Sequence, residues 1–186
     1  MGLYRARDLV RVPGLLSLSR VPLAAAFPFV LGRPLLALVV LAAAGLSDVL
    51  DGWYARRFGQ VTPTGTALDP VTDKVFVTTV AVSLVVGGYL SAFDVVLLSA
   101  REIGELPLVV WLAFNHDARS RRVDHPSANV PGKLATALQF GTATAALFRM
   151  PHLAWLIDGT AAVGVLAAAS YWIRERTRRR RVFSPG

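Results

Sequence analysis

The residues from 48 to 73 read DVLDGWYARRFGQVTPTGTALDPVTD. This stretch of 26 residues holds four aspartates, three glycines and two arginines, and it lies between long apolar segments. A lipid bilayer is the expected solvent for such segments, and a charged carboxylate at bilayer depth costs at least a few kcal/mol. Four carboxylates there predict a partner of opposite charge. A cation and a substrate are the natural candidates.

The composition of the whole chain agrees with a membrane setting. Its 186 residues are 54% hydrophobic and only 17% charged, which is unusual for a soluble domain. The apolar runs each come near the roughly 20 residues that a helix needs to cross a bilayer. The pattern predicts an all-α, polytopic membrane protein with a single domain over residues 1–186. The sequence has no cysteine, which excludes disulfides, thiolate zinc sites and a cysteine nucleophile.

Six transmembrane helices are predicted from the apolar runs, with turns that contain glycine or proline between them. Their approximate ranges are 15–31, 34–58, 67–86, 91–114, 132–148 and 152–173. A break over residues 59–66, which include Pro63 and Gly65, separates the second helix from the third. Residues 3–11 mix apolar and charged side chains and predict a short amphipathic helix on the membrane surface. A frayed basic tail is the alternative for that segment.

The basic residues are distributed unevenly along this arrangement. Of the 20 Lys and Arg residues, only Arg33 and Arg149 fall at turns on one side of the membrane. The positive-inside rule then places both termini and the aspartate-bearing helix ends on the cytoplasmic side of the cell membrane. The net charge of +8 therefore favours anionic lipid headgroups as its partner rather than nucleic acid.

The spacing of the aspartates predicts a metal site. Asp48 and Asp51 are three residues apart, and Asp69 and Asp73 are four apart, so each pair lies on one face of its helix. A tight turn can bring the two faces together, and four carboxylates then suit Mg²⁺ or Mn²⁺, which prefer oxygen ligands. Such a cluster commonly holds a pyrophosphate, because bridging metals neutralise the attacking and leaving oxygens.

The residues beside the aspartates fit a bound phosphate group. Gly52 and Ala55 are small, so that a ligand can approach the helix backbone closely, and Gly65 permits a turn. Arg56 is suited to pair with phosphate oxygens, while Arg57 is interpreted as an anchor at the membrane interface. For Asp69 there is a structural alternative, in which it caps the third helix with the following proline at the first helical position.

The same stretch resembles the signature of a known family. The pattern is Asp48-x-x-Asp51-Gly52-x-x-Ala55-Arg56, then eight residues, then Gly65-x-x-x-Asp69-x-x-x-Asp73. It resembles the complete signature of the CDP-alcohol phosphatidyltransferases, with all eight positions filled. The resemblance implies a six-helix membrane enzyme, often a homodimer, that uses Mg²⁺ or Mn²⁺, with two ions expected. Such an enzyme displaces CMP from CDP-diacylglycerol with the hydroxyl of a small alcohol.

The resemblance also implies roles for individual residues. Asp48, Asp51 and Asp69 would be metal ligands, and Asp73 would be the general base near the acceptor hydroxyl or a further ligand. The residues implied to line the CDP site are Gly52, Ala55, Arg56 and Gly65.

Shorter stretches narrow the acceptor. Pro13, Leu16-Ser17 and Arg20 resemble the family's N-terminal motif, although Gly14 stands where asparagine is usual. Arg101-Glu102-Ile103 and Gly132-Lys133-x-x-Thr136-x-x-Gln139 resemble the phosphatidylglycerophosphate synthase branch. That branch uses glycerol 3-phosphate, whose negative charges call for a positive pocket. The residues expected to supply it are Arg101, Lys133, Arg119, Arg121 and Arg122.

Two alternatives remain beside this interpretation. Pro107-Leu108-Val109 lies where the branch has a further arginine, so a cardiolipin synthase of the same fold, with phosphatidylglycerol as acceptor, is the second candidate. The three loop arginines have a second interpretation as anchors at the lipid headgroups. From a different class, an ion or proton transporter also carries intramembrane carboxylates, but it is expected to hold them near the midplane of several helices. Here they gather at helix ends, which favours an enzyme.

Overall fold

The computed structural model describes residues 12–59, 63–114 and 130–182. Within these ranges the protein consists of seven α-helices and has no β-strand. The chain divides into two compact units, Met1–Leu90 and Ser91–Gly186. The all-α prediction is therefore confirmed for the described residues. The predicted helix over residues 3–11 lies outside them.

The first unit contains three helices. These are α1 (Val12–Val30), α2 (Pro34–Arg57) and α3 (Pro63–Val86). The helix α1 packs against both α2 and α3, with Ala24 and Phe27 fully or almost fully buried on its inner face. Its polar residues Ser17 and Arg20 are buried too. The helix in the middle of this unit therefore carries its most deeply buried polar side chains.

The far end of the first unit is held by a close turn. Tyr89 donates a hydrogen bond from its hydroxyl to the Leu31 carbonyl oxygen over 3.0 Å, which joins the turn after α3 to the turn after α1. A Cβ atom on Gly87 would lie 2.4 Å from Leu31 Cδ2 and 3.0 Å from the Ser83 carbonyl oxygen, so a larger residue would force its neighbours to shift. Gly88 has a φ of 69°, a conformation that glycine adopts without strain.

The described residues of the second unit form four helices. These are α4 (Ala92–Leu98), α5 (Ala100–Phe114), α6 (Val130–Leu147) and α7 (Leu153–Val182). The long helix α7 packs against α4, α5 and α6. Thr142 and Thr160 share a buried hydrogen bond of 2.8 Å between α6 and α7, and Trp172 Nε1 donates to the Gly104 carbonyl oxygen over 2.9 Å. Neutral hydrogen bonds thus join these helices.

In the part of the chain that the structure describes, three helical segments are long and apolar enough to cross a membrane: Val12–Val30, Pro34–Ala55 and Leu153–Arg174. Large apolar side chains are also exposed on the helices of both units, among them Phe29, Leu35, Val39, Val86, Phe93, Trp155 and Leu166. Lipid is the solvent in which such faces are stable. The protein is therefore a membrane protein, while the number of six spans stays a prediction.

The helix boundaries correct the sequence predictions in three places. The third helix begins at Pro63 and not at residue 67, because proline is well suited to the first turn of a helix as well as to a break. The predicted helix over 91–114 is interrupted at Ser99, between α4 and α5. The last helix continues beyond residue 173 to Val182.

The capping alternative for Asp69 is wrong. Asp69 and Pro70 both lie inside α3, after its first turn. The hydroxyl of Thr72 donates to the carbonyl oxygens of Leu68 and Asp69 at 3.2 and 3.1 Å. Asp69 is thus a helical residue whose side chain is available for another role.

Candidate functional site

The helix α1 supplies the centre of the candidate site. Ser17 and Arg20 are three residues apart and therefore lie on the same face of α1. The Arg20 side chain is only 1% exposed, and Ser17 is fully buried. A buried arginine must find acceptors inside the protein, because the loss of its hydration is otherwise uncompensated.

Arg20 finds its acceptors on α2. Its Nη2 lies 3.0 Å from Asp48 Oδ1 and also forms an ion pair with Asp51 Oδ2. Its Nε donates to Ser47 Oγ over 3.3 Å, and the Ser47 hydroxyl donates to the Ala44 carbonyl oxygen over 2.8 Å. One guanidinium group therefore bridges two carboxylates on successive turns of the same helix.

Ser17 joins the carboxylates of α2 and α3. Its Oγ lies 3.2 Å from Asp51 Oδ2 and contacts Asp69 Oδ1 as well. The Pro13 carbonyl oxygen is a third acceptor at 3.0 Å. Because a hydroxyl group has one hydrogen, it satisfies these oxygens in turn and not together. Asp51 and Asp69 thus meet at one hydroxyl group although 17 residues separate them in the sequence.

Exposure differs sharply between the carboxylates. The Asp51 side chain is 5% exposed, whereas that of Asp48 is 61% exposed. Asp69 is partly exposed, and Asp73 lies one helical turn further along α3 with an exposed side chain. The structure therefore brings Asp48, Asp51 and Asp69 together at two residues of α1, and the group is open on the side of Asp48.

The second unit contains a separate polar group around Arg101 on α5. Its Nε donates to Glu105 Oε1 over 3.1 Å, and its Nη1 donates to the Gly132 carbonyl oxygen and to Thr136 Oγ1 at 3.0 and 2.7 Å. Lys133 follows Gly132 at the beginning of α6 and is exposed. Two of the predicted acceptor residues therefore lie near each other. The loop arginines 119, 121 and 122 lie outside the described residues.

Gln139 strengthens the same contact between α5 and α6. Its Nε2 donates to Glu102 Oε2 over 3.0 Å and to the Leu98 carbonyl oxygen over 2.7 Å. The residues of the motif 132–139 therefore hold the beginning of α6 on α5. This arrangement fixes the backbone that carries Lys133.

Comparison with known proteins identifies the family of this chain. Residues 10–172 match the family model described as CDP-alcohol phosphatidyltransferase. The chain belongs to the CDP-alcohol phosphatidyltransferase family. Since members of this family are transferases, the protein is a phosphatidyltransferase of phospholipid biosynthesis.

Relatives of this phosphatidyltransferase carry two different names. A CDP-diacylglycerol–glycerol-3-phosphate 3-phosphatidyltransferase of Pectobacterium atrosepticum is 36% identical over 87% of this chain and 89% of its own length. A protein of the same name from Yersinia pestis is 34% identical over 77% of this chain and 80% of its own. A CMP-forming cardiolipin synthase of Streptomyces coelicolor is 31% identical over 88% of this chain and 74% of its own. Both acceptor branches are thus represented.

The donor set of the phosphatidyltransferase fits the divalent metals that its family generally uses. Asp48, Asp51 and Asp69 offer only carboxylate oxygens, which Mg²⁺ and Mn²⁺ prefer. Among the residues that the structure describes, no three acidic or histidine side chains form a ready-made metal site. Arg20 stands between the carboxylates of α2 instead.

The signature residues implied to bind CDP continue the same helices. Gly52 and Ala55 follow on α2 and are half-buried, and Gly52 lies one helical turn after Asp48. Arg56 lies in α2 and Gly65 in α3. Small residues on the turn after a carboxylate leave room for a ligand beside the helix backbone.

Sequence reasoning assigned no role to Ser17 or Arg20, although it noted their resemblance to a family motif. A signal for them was present. An arginine inside an apolar helix is costly and rarely stands without a function, and a polar residue three positions away lies on its face. The pattern does not reveal the partner helix, which only the fold shows.

Proposed function

We propose that the protein transfers the phosphatidyl group of CDP-diacylglycerol to the hydroxyl of glycerol 3-phosphate and releases CMP. The observation that carries the proposal is the meeting of Asp48, Asp51 and Asp69 from two helices at Ser17 and Arg20. Three carboxylates in one small volume suit one or two divalent ions and, through them, a pyrophosphate. The printed names of two relatives support this acceptor.

The proposed reaction is an in-line displacement. The acceptor oxygen forms a bond to the phosphorus that carries the diacylglycerol, while the bond from that phosphorus to the CMP oxygen breaks. The hydroxyl proton passes to the carboxylate of Asp73, which acts as general base, and CMP leaves with the bonding electron pair. Bound Mg²⁺ or Mn²⁺ would be held by Asp48, Asp51 and Asp69, with Asp73 as a possible further ligand, and would neutralise the charge on the pyrophosphate.

The remaining roles follow the family signature. Gly52, Ala55, Arg56 and Gly65 line the CDP site in this proposal. Glycerol 3-phosphate carries two negative charges, for which Lys133 and Arg101 are the described candidates, together with the three loop arginines at 119, 121 and 122. Charge-assisted hydrogen bonds to phosphate are the contacts expected from such residues.

A second candidate function has an observation of its own. The cardiolipin synthase of Streptomyces coelicolor is similar over most of the chain, and Pro107 lies inside α5 near the position where an arginine is expected. A cardiolipin synthase would use phosphatidylglycerol as acceptor and would release CMP in the same way.

Product analysis separates the two candidates. Purified protein is offered CDP-diacylglycerol with glycerol 3-phosphate and phosphatidylglycerol together, and the lipids are then separated by chromatography. We expect phosphatidylglycerophosphate and an equal amount of CMP. Cardiolipin as the only new lipid would mean that the acceptor is wrong and the family reaction right. No CMP release with either acceptor would refute the proposed function.

We also propose that the protein crosses the cell membrane six times as one domain, works as a homodimer and keeps both termini and the carboxylates in the cytoplasm. The basic residues support this orientation. Cysteine placed at Gly59 should react with a membrane-impermeant reagent from the cytoplasmic side, and cysteine at Gly88 from the outside. Cysteine placed at Ser120 should be labelled from the cytoplasmic side, like cysteine at Gly59. Labelling of the cysteines at positions Gly59 and Gly88 from the same side would overturn the six-span topology. Crosslinking in the membrane would test the homodimer.

A further inference from the structure

Arg20 is the only cation that the described residues place within ion-pair distance of the carboxylate group. It is bonded to Asp48 Oδ1 and Asp51 Oδ2, while Asp69 reaches the group through Ser17. A single positive charge therefore faces three carboxylates from two helices. The Arg20 side chain is 1% exposed, so water contributes little to the solvation of the guanidinium group, whereas it hydrates the exposed Asp48.

The guanidinium group is not fully satisfied in this position. Within the described part of the chain, Arg20 Nη1 is buried and has no hydrogen-bond partner. A buried donor without an acceptor is unfavourable, because its hydrogen bonds to water have been lost and not replaced. The arrangement thus combines strong attraction at Nη2 with a lasting penalty at Nη1, which lowers the net cost of moving the side chain.

We propose that Arg20 is a built-in counter-ion of this site, which neutralises Asp48 and Asp51 in the metal-free protein and competes with a divalent cation for their oxygens. The inference rests on the proposed metal-dependent function, and it concerns Arg20 as a positioning residue. It goes beyond that function because it gives Arg20 a role in setting the affinity of the site for a divalent cation.

The competition follows from charge and from shared atoms. A divalent ion needs carboxylate oxygens as direct ligands, and Arg20 already bonds to one oxygen of Asp48 and one of Asp51. Two cations that approach the same carboxylate oxygens repel each other, and the repulsion is strongest at the buried Asp51, where water screens it least. Removing Arg20 should therefore raise the affinity for the metal, whereas it should lower the stability of the metal-free protein.

The test measures Mn²⁺ binding to the purified full-length protein without substrate. Binding is followed by the electron paramagnetic resonance of unbound Mn²⁺, and unfolding is followed by heating in EDTA and in Mn²⁺. Arg20→Gln should bind Mn²⁺ roughly tenfold more tightly than wild type, a factor that corresponds to about 1.4 kcal/mol. Its Tm in EDTA should fall, and the rise in Tm on adding Mn²⁺ should be larger than in wild type.

Two further variants guard against a simple loss of folding. Arg20→Lys keeps the charge but loses the planar fork, so its Mn²⁺ affinity and its Tm in EDTA should lie between those of wild type and Arg20→Gln. The double variant Arg20→Gln with Asp51→Asn removes both partners, so its Tm in EDTA should exceed that of Arg20→Gln alone.

Arg33→Gln is the matched control. It removes one exposed positive charge from the beginning of α2, and Mn²⁺ affinity should stay unchanged.

The outcomes test the role of Arg20 and the proposed function separately. Equal or weaker Mn²⁺ binding by Arg20→Gln and Arg20→Lys would overturn the competition, even if CMP release remained dependent on metal. Tighter binding together with no CMP release from any acceptor would support the role of Arg20 and refute the proposed function. Failure of wild type and both variants to bind Mn²⁺ would overturn the inference and the metal requirement together.

Discussion

The two units of the protein differ in how deeply their charged side chains are buried and in how these are paired. In the first unit, Arg20 and Asp51 are 1% and 5% exposed, and one guanidinium group faces three carboxylates. In the second unit, Arg101 and Glu105 pair one to one, with 21% and 22% of their side chains exposed. The other helix contacts there include the neutral bonds of Thr142 to Thr160 and of Trp172 to Gly104.

This difference separates a site from a scaffold. Asp51 is a buried carboxylate that shares Arg20 with the more exposed Asp48, and such a shared counter-ion weakens a fold because the buried charge has lost its hydration without full compensation. A balanced ion pair that is partly exposed, such as Arg101 with Glu105, costs little free energy of desolvation and contributes modestly to stability. The first arrangement fits the proposed function, which needs negative charge, whereas the second contributes to helix packing as well as to the proposed acceptor site.

Metal removal should affect the first unit most. In EDTA we expect CMP release to fall to background, because the carboxylates then lack the cation that holds the pyrophosphate, and Mg²⁺ or Mn²⁺ should restore it. Hydrogen exchange measured with and without Mn²⁺ should show added protection in α2 and α3 around Asp51 and Asp69. Full turnover in a protein freed of metal would remove the basis of the contrast.

Carboxylate substitutions should separate the units by activity. Asp51→Asn and Asp69→Asn each lose a charged ligand at nearly constant volume, and we expect CMP release to fall by roughly a hundredfold or more, beyond the usual loss from an outer-shell change. Asp158→Asn removes an exposed carboxylate from α7 and should retain wild-type activity. If Asp51→Asn turned over like Asp158→Asn, Asp51 would not be a ligand.

The acceptor residues test whether the second unit is only a scaffold. Lys133→Gln and Arg101→Gln each remove a charge-assisted contact worth about 1.5–3 kcal/mol, so the KM for glycerol 3-phosphate should rise roughly ten- to a hundredfold. The KM for CDP-diacylglycerol should change much less. Arg101 already bonds Glu105, Gly132 and Thr136, so a fall in Tm with an unchanged KM would assign it to packing alone.

Glycine substitutions should show how tightly the second unit is packed. A Cβ on Gly104 would lie 2.7 Å from Ala168 Cβ, so Gly104→Ala should lower the free energy of unfolding by about 1–3 kcal/mol. Gly141 also lies inside a helix, but a Cβ atom there would have no neighbouring atom within 4 Å. Gly141→Ala should therefore stabilise the helix by about 0.5–1 kcal/mol. Equal Tm values for both variants would contradict the close approach of α5 and α7.

The sequence was informative where the chemistry is local. The signature from Asp48 to Asp73 has a fixed spacing, and its helical periodicity predicted which aspartates share a face. The apolar runs predicted the helices, because burial in lipid demands length and composition only. Boundaries were less certain, since Pro63 can begin a helix as readily as it ends one, and no residue type marks the interruption at Ser99.

Contacts between helices that are far apart in the sequence could not be predicted from it. Ser17 lies 52 residues before Asp69, and Arg20 lies 31 before Asp51. Periodicity places each residue on a face of its own helix, but it does not choose the helix that faces it. The role of α1 as the member that gathers the carboxylates therefore required the fold.

The unequal exposure of Asp48 and Asp51 has a kinetic consequence. If a divalent cation binds here as proposed, it would meet Asp48 first, since that side chain is 61% exposed, and would reach Asp51 only as Arg20 moves away. The encounter should be fast and should slow with added salt, because it is steered by charge. The later side-chain exchange should be slower and indifferent to salt. Metal uptake by the empty protein should then proceed in two phases, and only the first should vary with ionic strength.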